Sequence, residues 1–347
     1  MKSHHVTILL AAAALALLLS GCSKDTVGPP ALTDESAMQQ MIDPASGQTL
    51  ADEAADVAAF SASDEATIDD KVVRDPDFEG VARIDYRDFP GLLSVSADSI
   101  YPVRWGRHLF WNQITRTYTT VINPGDSSAL VTITKSIPGE FWVGLGTKTS
   151  DTVIVDSIVK KPFQEVVKRK VRFIRINRTD NPLRNWKPVA ITMVLGETKP
   201  DSLKHFSVTS LEIQLGQSVT SYTDPLSTWF RLGLLHGTIP QFHVGDTVRV
   251  RTTITSAEDS AEIVHLRYGI MGDDAERRRT KMRLVSSIGG ERVYERTFVA
   301  KLPRVLPTGV LAARFNAVVD AFSYGSIYNN DAPFANEYWG LPYVVVR

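Results

Sequence analysis

The sequence predicts a mainly β protein, and three features carry that expectation. Short runs rich in Val, Ile and Thr recur from about residue 84 to the C-terminus, broken by Gly, Pro, Asn and Asp. Several of these runs alternate apolar and polar residues, the pattern of a strand buried on one face. No motif repeats with a period of about 20–50 residues, which argues against a solenoid or propeller.

In the middle of the chain, "TYTTVI" and "SALVTITKSI" flank Asn123-Pro124-Gly125-Asp126 and predict a hairpin. "EFWVGLG", "DTVIVDSIV", "KVRFIRINR", "KPVAITMVLG" and "TSLEIQLG" follow, each a strand by composition. Trp105, Trp111, Trp142 and Trp186 supply enough aromatic area to centre a core. Residues 81–225 are therefore expected to form a β-rich domain, a sandwich or curved sheet, with one packing helix around "WGRHLFWNQIT". The turn-rich "TDPLSTWFRLG" marks a boundary. Beyond it, Val248, Val250, Thr252 and Ile254 alternate with Arg249, Arg251 and Thr253. Gly289-Gly290 sits between two strand patterns as a two-residue turn. About seven short strands in residues 226–347 match an immunoglobulin-like β-sandwich, although the Cys…Trp…Cys signature of true immunoglobulin domains is missing.

The N-terminus reads differently. Lys2, His4 and His5 precede an apolar run from Val6 to Leu19, and Ser20-Gly21 leads into Cys22, the only cysteine. The order Leu19-Ser20-Gly21-Cys22 closely resembles the lipobox of bacterial lipoproteins. That resemblance implies a signal peptide over residues 1–21, acylation of Cys22, and a lipid anchor in the cell envelope. Ser23-Lys24 lacks the inner-membrane retention Asp, so the resemblance favours the outer membrane, periplasmic or surface-exposed. Two acyl chains make such a tether stable where one is marginal. Residues 22–80 form an acidic tether, partly helical: Ser23–Gly80 carries 14 Asp/Glu against 3 Lys/Arg, while the whole chain is only −1. "TDESAMQQMID" predicts a short helix that Pro44 stops, and "TLADEAADVAAF" a second. With few large apolar residues, this stretch is expected not to offset its own ordering entropy.

The search for chemistry excludes more than it finds. There is no nucleophile elbow, zinc-binding His-Glu-x-x-His, phosphate loop or Cys-x-x-Cys pair, and the five histidines beyond residue 22 lack metal-ligand spacing. A catalytic role is not expected, and no cofactor beyond Ca²⁺ is implied. Carboxylates paired across strands leave no spacing signature, so a glycan-processing hydrolase with its site in the middle domain stays open as the alternative. The richest stretch is "DAFSYGSIYNNDAPFANEYWGLPYVVV". There Tyr328, Asn330, Asp331 and Trp339 form a candidate sugar-binding set, with ring stacking and amide hydrogen bonds. Asn329, Asp331 and Glu337 form a candidate Ca²⁺ set of oxygen ligands. A long polar loop with aromatics closing the core accounts for the same residues.

"HLRYG", "KMRLV", "AKLP", "RFNAVVD", "YNND" and "PYVVV" together resemble the strand sequence of starch-binding β-sandwich modules, which implies carbohydrate binding. The Trp that those modules carry after the first element is missing from "GIMGDDAERRR". The basic clusters "KRKVRFIRINR" and "ERRRTKMRL" lie on strand patterns that split them between two faces, and nucleic acid is not an expected partner. The expected partners are a lipid bilayer, through Cys22, and a glycan or envelope protein. The expected role is structural, adhesive or glycan-binding.

Overall fold

The computed structural model describes residues 32–43, 81–82, 100–149, 152–233, 237–269, 278–302 and 312–347. Cys22, most of the expected tether and its second helix lie outside the described residues. In chain order the elements are helix α1 (Asp34–Ile42) and strands β1 (Val81–Ala82), β2 (Tyr101–Leu109), β3 (Thr115–Ile122), β4 (Ser128–Thr149), β5 (Thr152–Arg175), β6 (Trp186–Thr192) and β7 (Val194–Lys199). Then come β8 (Phe206–Leu215), β9 (Ser218–Tyr222), β10 (Trp229–Arg231), β11 (Gln241–His243), β12 (Thr247–Ser256), β13 (Ile263–Tyr268) and β14 (Arg278–Lys281). β15 (Arg283–Ile288), β16 (Glu291–Val299), β17 (Ala312–Phe322), helix α2 (Tyr324–Tyr328) and β18 (Asn336–Val346) complete the chain. The protein is mainly β, as its sequence predicts.

The frame is the β4–β5 hairpin, whose strands pair from Ser128↔Ile174 to Thr149↔Thr152. Segments expected as separate strands, such as "EFWVGLG" and "KVRFIRINR", are halves of these two long ones. Pro138 lies inside β4, yet it costs no ladder bond. β3 pairs with residues 129–136 of β4 and β2 with residues 139–146, so Pro138 falls in the gap between them. The Asn123–Asp126 turn forms as expected, with Gly125 and Asp126 at positive φ. The Gly289-Gly290 turn also forms, both residues at positive φ, as such a tight hairpin demands.

From this hairpin one sheet curls through β2-β4-β5-β7-β18-β17-β13-β14. Its two ends approach without backbone pairing among the described residues: the Arg279 guanidinium of β14 lies 4.0 Å from the Trp105 ring centroid of β2. The result is a half-barrel whose interior is filled with side chains. Odd residues of β4 and β5 face inward, with Ile137, Phe141 and Val143 opposite Phe163 and Val167. Even residues of β17 and β18 complete the lining with Val318, Phe322 and Tyr338. Their odd residues, including Phe315, Val319, Trp339, Leu341 and Tyr343, share a second core with Val208, Val248, Val250 and Phe298 of the second sheet, ordered β15-β16-β12-β8-β9.

Two details depart from expectation. The segment "WGRHLFWNQIT" is strand β2 followed by one short turn of 3₁₀ helix at Trp111–Gln113, because Trp105, Arg107 and Leu109 alternate inward. The strands on either side of residue 225 are also interleaved. β7 pairs with β18, and β8 pairs with β12, so both sheets draw on both segments. Alternation reveals which face of a strand is buried but not its partner. Helix α1 is present where predicted and packs into the protein: Met38, Met41 and Ile42 join the core that contains Phe173 and Trp186. Asp34 pairs with Arg175 at 2.7 Å.

Tyr338 lies flat over Gly196 of β7, where a Cβ would sit only 1.9 Å from the ring. Gly196→Ala should therefore destabilise the protein by about 1–3 kcal/mol in urea unfolding. A Tyr338→Leu change in the same chain should return part of that loss, since the clash is with the ring.

Candidate functional site

The residues singled out in the sequence do not converge on one place. Trp339 is 3 % exposed and belongs to the core between the sheets, with its indole N–H donating to Glu337 Oε1 at 3.1 Å. It has no face to offer a ligand. Glu337 is equally buried. It accepts from Val208 N and Ser207 Oγ, both at 3.2 Å, and pairs with Lys204, which also reaches Glu197 at 3.1 Å. Asn329 and Asp331 lie apart from it on the exposed loop after α2, where Asn329 Oδ1 accepts from Asp331 N at 3.0 Å. The Ca²⁺ set is therefore split between a satisfied buried carboxylate and a surface turn. Among the described residues, no three or more of His, Cys, Asp or Glu are arranged to hold a metal ion.

The loop itself keeps three of the four sugar-binding candidates together. Tyr328, Asn330 and Asp331 are all exposed. Tyr328 stacks on Tyr324, with ring centroids 4.4 Å apart and planes 19° from parallel. The two rings remain 39 % and 37 % exposed, a solvent-facing aromatic step beside two polar side chains. Tyr324 was not a candidate from sequence, yet the i, i+4 spacing of the two tyrosines is the signal that places them on one helical face.

The step is rigidly mounted. Ser323 caps α2 by accepting from Ser326 N at 3.2 Å. Ile327 and Phe334 anchor its underside in the half-barrel core, and Phe334 stacks on Phe141 at 4.5 Å. From β5, Lys161 reaches up from an inward position and donates to Gly325 O at 3.1 Å and Asn329 O at 2.6 Å. Burial pulls the Lys161 ammonium down to about 8, against the opposing pull of Asp331. Lys161→Met removes both bonds, and the variant should lose about 1–2 kcal/mol of stability. Amide exchange should rise over residues 325–331 well before global unfolding.

Inside the half-barrel lies a second cluster that sequence reading missed. Arg107 of β2 is fully buried and donates through both terminal nitrogens to Asp320 of β17, at 2.7 and 2.8 Å. Its Nε lies 2.8 Å from Glu165 Oε1 of β5 without the alignment of a hydrogen bond. Arg267 of β13 adds a 2.9 Å bond to Asp320. The Arg107 guanidinium also sits 4.8 Å from the Phe322 ring centroid and 5.3 Å from that of Phe334. Glu165 and Asp320 are the carboxylate pair that an enzyme reading asks for, but both are 0 % exposed and bridged by one guanidinium. A substrate has no approach to them in this arrangement, which suits an internal brace rather than hydrolysis. The signal in sequence was parity. Arg107 stands between Trp105 and Leu109, Glu165 between Phe163 and Val167, and Asp320 between Val318 and Phe322, each at an apolar-facing position.

Burial pushes the Glu165 carboxyl up to about 7. Arg107 opposes this, Asp320 adds to it through like charge, and Arg267 opposes it more weakly. A carboxyl raised in the folded state costs nothing below its ordinary range of about 4.5, then weakens the fold as pH rises toward 7. The stability of the native chain minus that of Glu165→Gln should therefore fall between pH 5 and pH 8. Paired urea titrations in which that difference grew with pH would contradict the assignment.

With the fold and these sites established, comparison with known proteins adds no relative: no protein-family model, curated protein or solved structure matches the chain. No helix among the described residues is long and apolar enough to cross a membrane.

Proposed function

We propose that this protein is a membrane-tethered, non-catalytic binding protein of the bacterial cell envelope, and that it recognises glycan through the Tyr324–Tyr328 step. The observation that carries the reading is the stacked, exposed tyrosine pair beside Asn330 and Asp331. Aromatic faces stack on the apolar faces of sugar rings, while amide and carboxylate groups meet their hydroxyls. The mounting by Lys161 and Ser323 holds these groups in place before a ligand arrives, which reduces the ordering cost of binding. The tether follows from "LSGC" ending at Cys22 and from the acidic spacer after it.

Full-length protein in detergent should bind a subset of immobilised glycans. Tyr324→Ala with Tyr328→Ala should reduce that binding roughly tenfold or more, the scale of losing one well-buried contact. The double variant should melt within a few degrees of the native protein, since both rings are exposed. Undiminished glycan binding by a folded double variant would remove the reading. Cys22→Ala should separately release the protein from the membrane fraction and abolish acyl labelling.

A further inference from the structure

The outward face of β3, β4 and β5 carries an ordered chemistry that the tyrosine step does not use. On β3 the outward residues are Thr115, Thr117 and Thr119. Opposite them on β4 stand Ser136, Thr134 and Thr132, in register across the ladder. The next strand continues two of these ranks with cations, Thr134↔Lys168 and Thr132↔Lys170. Each rank therefore runs hydroxyl, hydroxyl, ammonium across three strands. Ranks repeat about 6.8 Å apart along the strands and their members about 4.8 Å apart across them. A third cation, Arg172, lies opposite Leu130 at the next position, its guanidinium 4.6 Å from the Trp229 ring centroid.

No carboxylate occupies an outward position of these strands over Thr115–Val121, Leu130–Ser136 or Gln164–Arg172. Acidic groups lie beyond β5 and have other partners. Glu197 of β7 stands opposite Val166 and pairs with Lys199 and Lys204. Asp201 is held low first by its bond from Lys199 and least by Lys168, and Asp224 first by its bond with Ser227 and least by Lys170. The β3 threonines are exposed, while Lys168 and Lys170 are half-buried among their neighbours. Such short, crowded donors reach only groups lying flat against the sheet. Among the described residues β3 is also an edge strand, paired only with β4.

We infer that this face is a docking surface for a linear acidic polysaccharide, a polymer whose carboxylates recur along an extended chain. Ammonium groups at fixed spacing meet the carboxylates, and the threonine ranks meet the hydroxyls between them. A bilayer surface would be met by lysines standing clear of the protein, whereas Lys168 and Lys170 are half-buried. The apolar residues of this face, Val166, Val121 and Leu130, lie in the ranks on either side of the lysine ranks rather than within them. The surface is separate from the Tyr324–Tyr328 step, so the two readings stand or fall apart.

The test uses full-length protein in detergent with polygalacturonate as the probe and its fully methyl-esterified form as the uncharged control. Binding should be to the acid form and should weaken with salt. Lys168→Gln with Lys170→Gln should lower affinity roughly tenfold or more and reduce the salt dependence in proportion to the charges removed. Thr117→Val with Thr134→Val should lower affinity while leaving the salt dependence unchanged, because it removes hydroxyls and no charge. The Tyr324/Tyr328 double variant should bind polygalacturonate as the native protein does. Equal binding of the esterified polymer, unchanged affinity in the lysine variant, or loss in the tyrosine variant would each overturn the assignment. Preferential binding to vesicles of phosphatidylglycerol would overturn it too.

Discussion

A single guanidinium holds the curl of the larger sheet. Arg107 on β2 bonds Asp320 on β17 and touches Glu165 on β5, joining three strands across an interior whose first and last strands, β2 and β14, are not paired among the described residues. Elsewhere in the sheet each strand is placed by a ladder of backbone bonds. At this seam the chain relies on side chains, with Arg279, His265 and Phe322 also packed on Trp105. Removing one member of such a buried ionic set costs about 3–5 kcal/mol, because the remaining charge is left uncompensated. Replacing the whole set with apolar residues of equal volume is often neutral, so its value lies in specifying one geometry rather than in net stability. Bidentate geometry is the reason: only one register of β17 against β2 presents both Asp320 oxygens to the Arg107 fork. A slip of one residue would turn Asp320 out of the barrel and Ala321 in.

The same two-residue period gives the long hairpin two unlike faces. Inward, β4 and β5 read as Ile137, Phe141 and Val143 against Phe163, Glu165 and Val167. Outward, Thr132 and Thr134 stand opposite Lys170 and Lys168, with Leu130 opposite Arg172 and Ser136 opposite Val166 at either end. The inner face builds the core, and the outer face is left to solvent. A polar outer face needs only solubility, and scattered polar residues of either sign would supply it. Hydroxyls and cations arranged in ranks, with no acidic residue among them, are more regular than solubility requires.

What the sequence revealed follows the same divide. Periodicity exposed the strands, the Asn123–Asp126 and Gly289-Gly290 turns and the α1 stripe, because each is a local property of neighbouring residues. Strand partnership was not legible: nothing in "VLGETK" says that β7 will lie beside β18, more than a hundred residues away. The continuity of β4 through Pro138 was not legible for the same reason, since the cost of a proline depends on which neighbour stands at that point of the ladder. Trp339 drew attention as an aromatic in a polar stretch, yet it sits on the face of β18 that packs against the second sheet, in a strand whose every residue from Asn336 to Val345 is buried. The ionic set could have been suspected from charged residues at apolar parity, but its members come from four strands, and only the curl brings them together.

That closed interior bears on where function resides. The half-barrel spends its polar groups on one another: Arg107, Asp320, Arg267 and Glu165 are mutually engaged and sealed by Phe322, Phe334 and Tyr338. A barrel that carries a ligand inside leaves room and unspent polar groups at its mouth. Here the end of the barrel is filled by Ile327 and Phe334, and α2 stands on them with Tyr324 and Tyr328 turned outward. The filling is what makes the outer step usable. An aromatic pair on a free loop would lose conformational freedom on binding, whereas one fixed to a packed core has already done so on folding. A sealed interior and an exposed, preorganised rim are thus one arrangement, in which packing inside the barrel stabilises recognition outside it.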